Sequence, residues 1–145
     1  MTTIIQAVRD YISTCPLLKN GVILGIDQLN KDMSYTIDTT PCPPIIQKYT
    51  DGSTKRQFQF VFASREQYGI RVLENLENSG FFENFSAWID RNNWNRNFPD
   101  LGEFRKPYRL EILTNGYVFD TGDNTARYQI QLNLLYTQNW RFFNG

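Results

Sequence analysis

The stretch that most constrains this chain runs from Lys55 to Trp88, because the period of its apolar residues changes partway along. From Lys55 to Ala63 the pattern alternates strictly. Phe58, Phe60 and Phe62 share one face, while Gln57 and Gln59, with Arg56 at the end, keep the remainder polar. A period of two defines a strand and excludes a helix. The pattern turns at Ser64 and Arg65, and beyond Gln67 the residues Ile70, Leu73, Leu76 and Glu77 follow three- and four-residue spacing. Gly80 interrupts that run before Phe81, Phe82, Phe85, Trp88 and Ile89 resume it. The expectation is one strand feeding two short helices that cover its phenylalanine face.

The flanking segments supply further strands. Ile4, Ile5, Val8, Tyr11 and Ile12 lie at helical spacing, with Thr2 or Thr3 to cap the first turn and Pro16 to stop the helix. Residues 17 to 31 carry a weak pattern, with a turn at Asn20-Gly21 and a short strand within Val22 to Ile26. Met33 to Thr39 alternates around Tyr35 and Ile37 and ends at the prolines at 41, 43 and 44. Ile45 to Thr50 reads as extended, and Asp51-Gly52 is a strong hairpin signal joining it to the strand that begins at Lys55.

Beyond the helices, Asn92 to Pro107 reads as a long loop of the functional kind. Tyr108 to Phe119 is extended around a bulge or turn at Asn115-Gly116, and Asp120 to Asn124 is a turn. Thr125 to Gln138 is predicted to be the longest strand, with Tyr128, Ile130, Leu132 and Leu134 on one face and Arg127, Gln129, Gln131 and Asn133 on the other. Strands clustered and joined by turns give an α+β fold, a mostly antiparallel β-sheet with helices packed on one face in two layers. The 145 residues fit a single domain, with 139–145 as a terminal tail.

Fifteen basic and fifteen acidic residues cancel, so overall charge gives no pull toward nucleic acid or an anionic membrane. No apolar stretch approaches the length of a membrane span. Arg9 and Asp10 interrupt the apolar run of the N-terminus, which excludes a signal-peptide core, and the product is expected in the cytoplasm. Cys15 and Cys42 are read as free thiols, with one disulfide as the minor alternative. The chain has no histidine, which removes the commonest general base. Glu66, Glu74, Glu77 and Glu83 read as a solvated helix face, and Asp120 and Asp123 as turn formers. These residues point away from an enzyme, and no catalytic residue, metal or cofactor is expected.

Arg56 to Ala63, RQFQFVFA, partly matches the aromatic strand with which RNA-recognition domains stack bases. Gln57 and Gln59 occupy its small positions, Ala63 its last aromatic position, and the chain opens with a helix rather than a strand. A buried phenylalanine face is the favoured reading, and a nucleic-acid-binding module built on residues 56–62 is the alternative. Aromatic residues make up 15% of the chain, and several fall where a monomer offers no cover: Trp94, Phe98 and Phe104 in the polar loop, Trp140, Phe142 and Phe143 in the tail. Side chains of this kind are often buried by a partner.

The segments TTIIQAVRDYISTCPLL, PPIIQKYTDGSTKRQFQFVFASREQYG, VLENLENSGFFENFSAWI, PDLGE and GYVFDTGDNTARYQIQLNLLY, taken in order, resemble the minor-capsid or tail-terminator-like proteins of tailed phages and phage-derived particles of Gram-positive bacteria. The resemblance covers most of the chain apart from residues 19 to 34 and the tail, and it contains no catalytic motif. It implies a structural virion protein that assembles as a homo-oligomeric, hexameric ring on the last ring of the tail tube, ends tube growth and forms a head–tail junction. Its partners would be the tail tube protein and sheath or head-completion proteins, with DNA meeting it only by passage through the lumen. It would reside in a virion or a headless tail-like particle.

A ring requires two different patches per subunit. Gln57, Gln59, Gln129, Gln131 and Asn133, hydrophilic and uncharged, are candidates for a wet lumen. The Asp51-Gly52 hairpin and the 92–107 loop are candidates for contacts with the next subunit or tube ring, with Trp94 and Phe98 buried on assembly.

Overall fold

The computed structural model describes residues 3–18, 24–26, 35–67, 72–121 and 125–143. Helix α1 spans Ile4–Ile12, with the Thr3 hydroxyl accepting from the Gln6 N–H as its N-cap. Strands β1 (Leu24–Ile26), β2 (Tyr35–Thr39), β3 (Ile45–Lys48) and β4 (Thr54–Gln67) follow. Helix α2 spans Val72–Asn95, then come β5 (Arg105–Ile112), β6 (Tyr117–Thr121), β7 (Thr125–Gln138) and a 3-10 turn at Trp140–Phe143.

The sheet has the order β1-β2-β4-β7-β5, with β3 also paired to β4 and β6 also paired to β7. Only the β1-β2 pair is parallel among the described strands. Two long antiparallel strands, β4 and β7, form the spine, each flanked along one edge by two short strands. In their register Phe58 faces Leu134, Phe60 faces Leu132 and Phe62 faces Ile130, so the aromatic face of one strand continues into the aliphatic face of the other.

Both helices pack on that face. Phe60, Phe62, Ile130, Leu132 and Leu134 are buried against Val8 and Ile12 of α1 and Phe82, Phe85 and Ile89 of α2. The Phe62 and Phe85 rings stack with centroids 4.7 Å apart, and Tyr11 tilts against Trp88 at 5.3 Å. Each fully buried side chain of this size contributes about 1.5–3 kcal/mol. The architecture is the expected α+β one, with helices on one face of a largely antiparallel sheet.

Several boundaries differ from the sequence reading. β4 does not end at Ser64 but continues to Gln67, because β7 offers backbone partners as far as Thr125. It therefore equals β7 at 14 residues, and the longest strand is shared between them. The two short helices are one helix of 24 residues with Gly80 inside it. A glycine in a helix interior costs about 1 kcal/mol, less than the burial of any one of the large core side chains that follow it.

The long loop shortens to 96–104, since α2 runs to Asn95 and β5 starts at Arg105. Asn115 and Gly116 lie in an interruption between two segments that both pair with β7, so the chain shifts register there without reversing. Within the segment after β7, Trp140–Phe143 form a 3-10 turn, with Trp140 against the hairpin. The expected Asn20-Gly21 turn, Met33, Ile70 and the loop residues 122–124 lie outside the described residues, as do the side chains of Glu66, Leu73, Glu74, Leu76, Glu77 and Asp120. Cys15 and Cys42 are free thiols, the first buried and the second half-buried.

The β5 edge of the sheet is interrupted at Pro107 and at Leu110. Pro107 lacks an N–H, the ladder shifts register between Pro107 and Arg109, and the Asn93 amide of α2 takes both backbone groups of Leu110. The Leu110 N–H donates to Asn93 Oδ1 at 2.8 Å, and Asn93 Nδ2 donates to the Leu110 carbonyl at 2.7 Å. One amide thus occupies the place of a neighbouring strand.

Candidate assembly surface

The hairpin between β3 and β4 is the first predicted contact. The Tyr49 N–H donates to the Ser53 carbonyl at 3.0 Å and the Gly52 N–H to the Tyr49 carbonyl at 3.1 Å. Asp51 Oδ1 accepts from the Ser53 hydroxyl at 2.5 Å and from its N–H at 2.9 Å, and these bonds hold the Asp51 carboxyl below its ordinary range. Gly52 has φ +90°, and a Cβ there would stand 3.0 Å from the Trp140 Cβ. The backbone conformation therefore favours glycine, and a side chain would also press on Trp140. The Asn139 N–H donates to the Phe104 carbonyl at 2.8 Å, so the hairpin, the turn after β7 and the end of the 96–104 loop meet at one end of the sheet.

The amide-bearing strands are neighbours, as a shared polar face requires, and their glutamines fall into two groups. Gln59 lies opposite Asn133, Val61 opposite Gln131 and Ala63 opposite Gln129. In one group, Asn133 Nδ2 donates to Gln57 Oε1 at 3.1 Å, and Gln57 Nε2 donates to the Pro43 carbonyl at 2.7 Å. In the other, the Tyr117 hydroxyl accepts from Gln129 Nε2 at 2.6 Å and from Gln131 Nε2 at 3.1 Å. Arg127 Nε donates to Gln129 Oε1 at 2.9 Å, and the Arg127 guanidinium pairs with Asp38. Gln129 and Asn133 are buried, while Gln57, Gln59 and Gln131 are half-buried.

The ion pair spans three strands, from β7 over β4 to β2. Asp38 stands opposite Val61 and Arg127 opposite Arg65, so the line between them crosses Ala63, whose small side chain leaves room for the guanidinium. The pair fastens β2 to the spine on the face opposite the helices. Sequence alone does not pair Asp38 with Arg127, since 89 residues separate them and only the strand order brings them together. Tyr117 was missed for the same reason.

Trp94 and Phe98 bracket the end of α2. Arg96 has φ 57°, its N–H donates to the Asn93 carbonyl at 3.2 Å, and the Asn97 N–H donates to the Asn92 carbonyl at 2.8 Å. This is a Schellman cap built with arginine in the position that favours glycine. Trp94 is 88% exposed, whereas Phe98 is half-buried. Phe98 stands between two grooves. One, of about 440 Å³, includes Asp10, Tyr11 and Asp100; the other, of about 430 Å³, includes Arg96, Lys106 and Tyr108. The Tyr11 phenol, pushed up to about 12 chiefly by burial, donates to the Asn97 carbonyl at 3.0 Å and accepts from Asn92 Nδ2 at 2.8 Å.

Of the three strand phenylalanines, Phe58 is half-buried and the other two are closed to a stacking base. Phe60 is 1% exposed and Phe62 fully buried. Among the described residues no helix is long and apolar enough to cross a membrane. No family model matches the chain, and no curated protein sequence matches it.

Proposed function

We propose that the protein is a structural component that works by assembly, a tail-terminator-like subunit forming a ring, of hexameric order, at the end of a tail tube in a virion or tail-like particle. The observation that carries the assembly part of this reading is the set of large apolar side chains left in solvent: Ile46, Tyr49, Trp94, Tyr108, Leu113 and Trp140. A chain that buries its phenylalanine core this completely has no folding reason to leave a tryptophan 88% exposed, and aromatic residues of this kind are enriched in the buried centres of interfaces. The tail-end role rests on the sequence resemblance alone.

Mass measurement of the purified protein, alone and mixed with the tail tube protein, tests the reading. The expected result is a closed oligomer of more than two copies in at least one of the two conditions. A protein that stays a monomer or a dimer in both would overturn it.

A further inference from the structure

The grooves on either side of Phe98 are nearly equal in size, about 440 and 430 Å³, and opposite in charge. Asp10 and Asp100 line one, Arg96 and Lys106 the other. All four residues are exposed, and none is in an ion pair among the described residues. An anionic polymer is attracted to one groove and repelled by the next, and a cationic one meets the reverse. The surface that complements both at once is this same surface turned through a half-rotation.

We propose that two copies of the chain dock through this surface on a two-fold axis passing beside Phe98, the acidic groove of each copy facing the basic groove of the other. An isologous contact of this kind makes every interaction twice, so a modest charge pairing counts double. The two Phe98 side chains would meet at the axis and provide the apolar centre. Such a dyad reverses the direction of the second copy, so it lies outside any cyclic ring. The proposal therefore stands or falls separately from the assembly reading above.

Charge exchange tests it. Asp10→Lys and Lys106→Glu alter exposed side chains, and each should melt as the wild type does. In sedimentation equilibrium the wild-type protein should form a dimer, and each variant alone should associate at least tenfold more weakly, because like charges then face each other twice. An equimolar mixture should recover the dimer, since the lysine introduced by Asp10→Lys meets the glutamate introduced by Lys106→Glu and the unaltered pair remains on the other side. The wild-type dimer should also loosen as salt is raised from about 0.05 to 0.5 M, where screening shortens to a few ångströms. A wild-type monomer at all concentrations, a salt-independent dimer, or a mixture that fails to recover would each overturn the proposal. So would growth of the mixture beyond two copies, which marks a head-to-tail contact instead.

Discussion

At the scale of single residues, Tyr11 shows how burial couples the fold to pH. Its phenol joins α1 to the end of α2 through bonds to the Asn97 carbonyl and from the Asn92 amide. Burial raises its pKa from 10.0 to about 12. Between those values the unfolded chain gives up this proton and the folded chain keeps it, so stability is fully present below pH 10 and is lost as pH rises toward 12. The slope from this group is at most about 1.4 kcal/mol per pH unit. Tyr136 is shifted in the same direction, mainly by burial, and adds to the alkaline loss. Tyr11→Phe should cost about 1–2 kcal/mol at neutral pH, since it leaves buried partners unsatisfied, and should flatten the alkaline slope. Urea denaturation from neutral to alkaline pH measures both, and a variant with the wild-type slope would show that Tyr11 does not titrate as described.

At the scale of elements, two glycines that look alike in the sequence have opposite roles. No described atom would lie within 4 Å of a Cβ at Gly80, inside α2, so the residue only lowers helix propensity there. Gly80→Ala should stabilise the protein by about 0.5–1 kcal/mol. At Gly116 a Cβ would stand 2.5 Å from the Phe82 Cβ. Gly116→Ala forces α2 away from the sheet and should cost about 1–3 kcal/mol. Thermal or urea midpoints of the two variants should move in opposite directions, and a shared direction would refute the distinction.

The same pair explains what the sequence revealed. Alternation at Phe58, Phe60 and Phe62 and at Ile130, Leu132 and Leu134 announced both spine strands, because their burial has the period of the backbone itself. Gly80 misled because a local propensity was weighed without the core it competes against. The Asn115-Gly116 interruption was visible, but its cause was not, since Phe82 reaches it only through the tertiary fold. The Asp38–Arg127 pair and the Asn93 bridge to Leu110 were likewise hidden, each depending on which strands become neighbours.

At the scale of the whole molecule, the hydrophobic core lies between the helices and the sheet, while the opposite face is dressed with an ion pair and interlocked amides. Among the exposed large apolar side chains of the described residues Trp94 is the most accessible, which makes it a clean probe of assembly. Trp94→Ser should change the stability of the isolated chain by no more than about 0.5 kcal/mol. The same variant should abolish or weaken ring formation in the mass measurement, and intact rings of normal stability from it would remove Trp94 from the interface.

The Asn93 bridge has a consequence for how such a molecule behaves when crowded. A bare sheet margin accepts strands from any chain that presents one, and it does so through peptide groups that are the same in every protein. Here a helix-borne amide has already taken the Leu110 position in that role, so backbone recruitment along this margin is interrupted two residues before the strand ends. Contacts between crowded copies are thereby steered toward side chains, which can be exchanged one residue at a time without disturbing the sheet beneath.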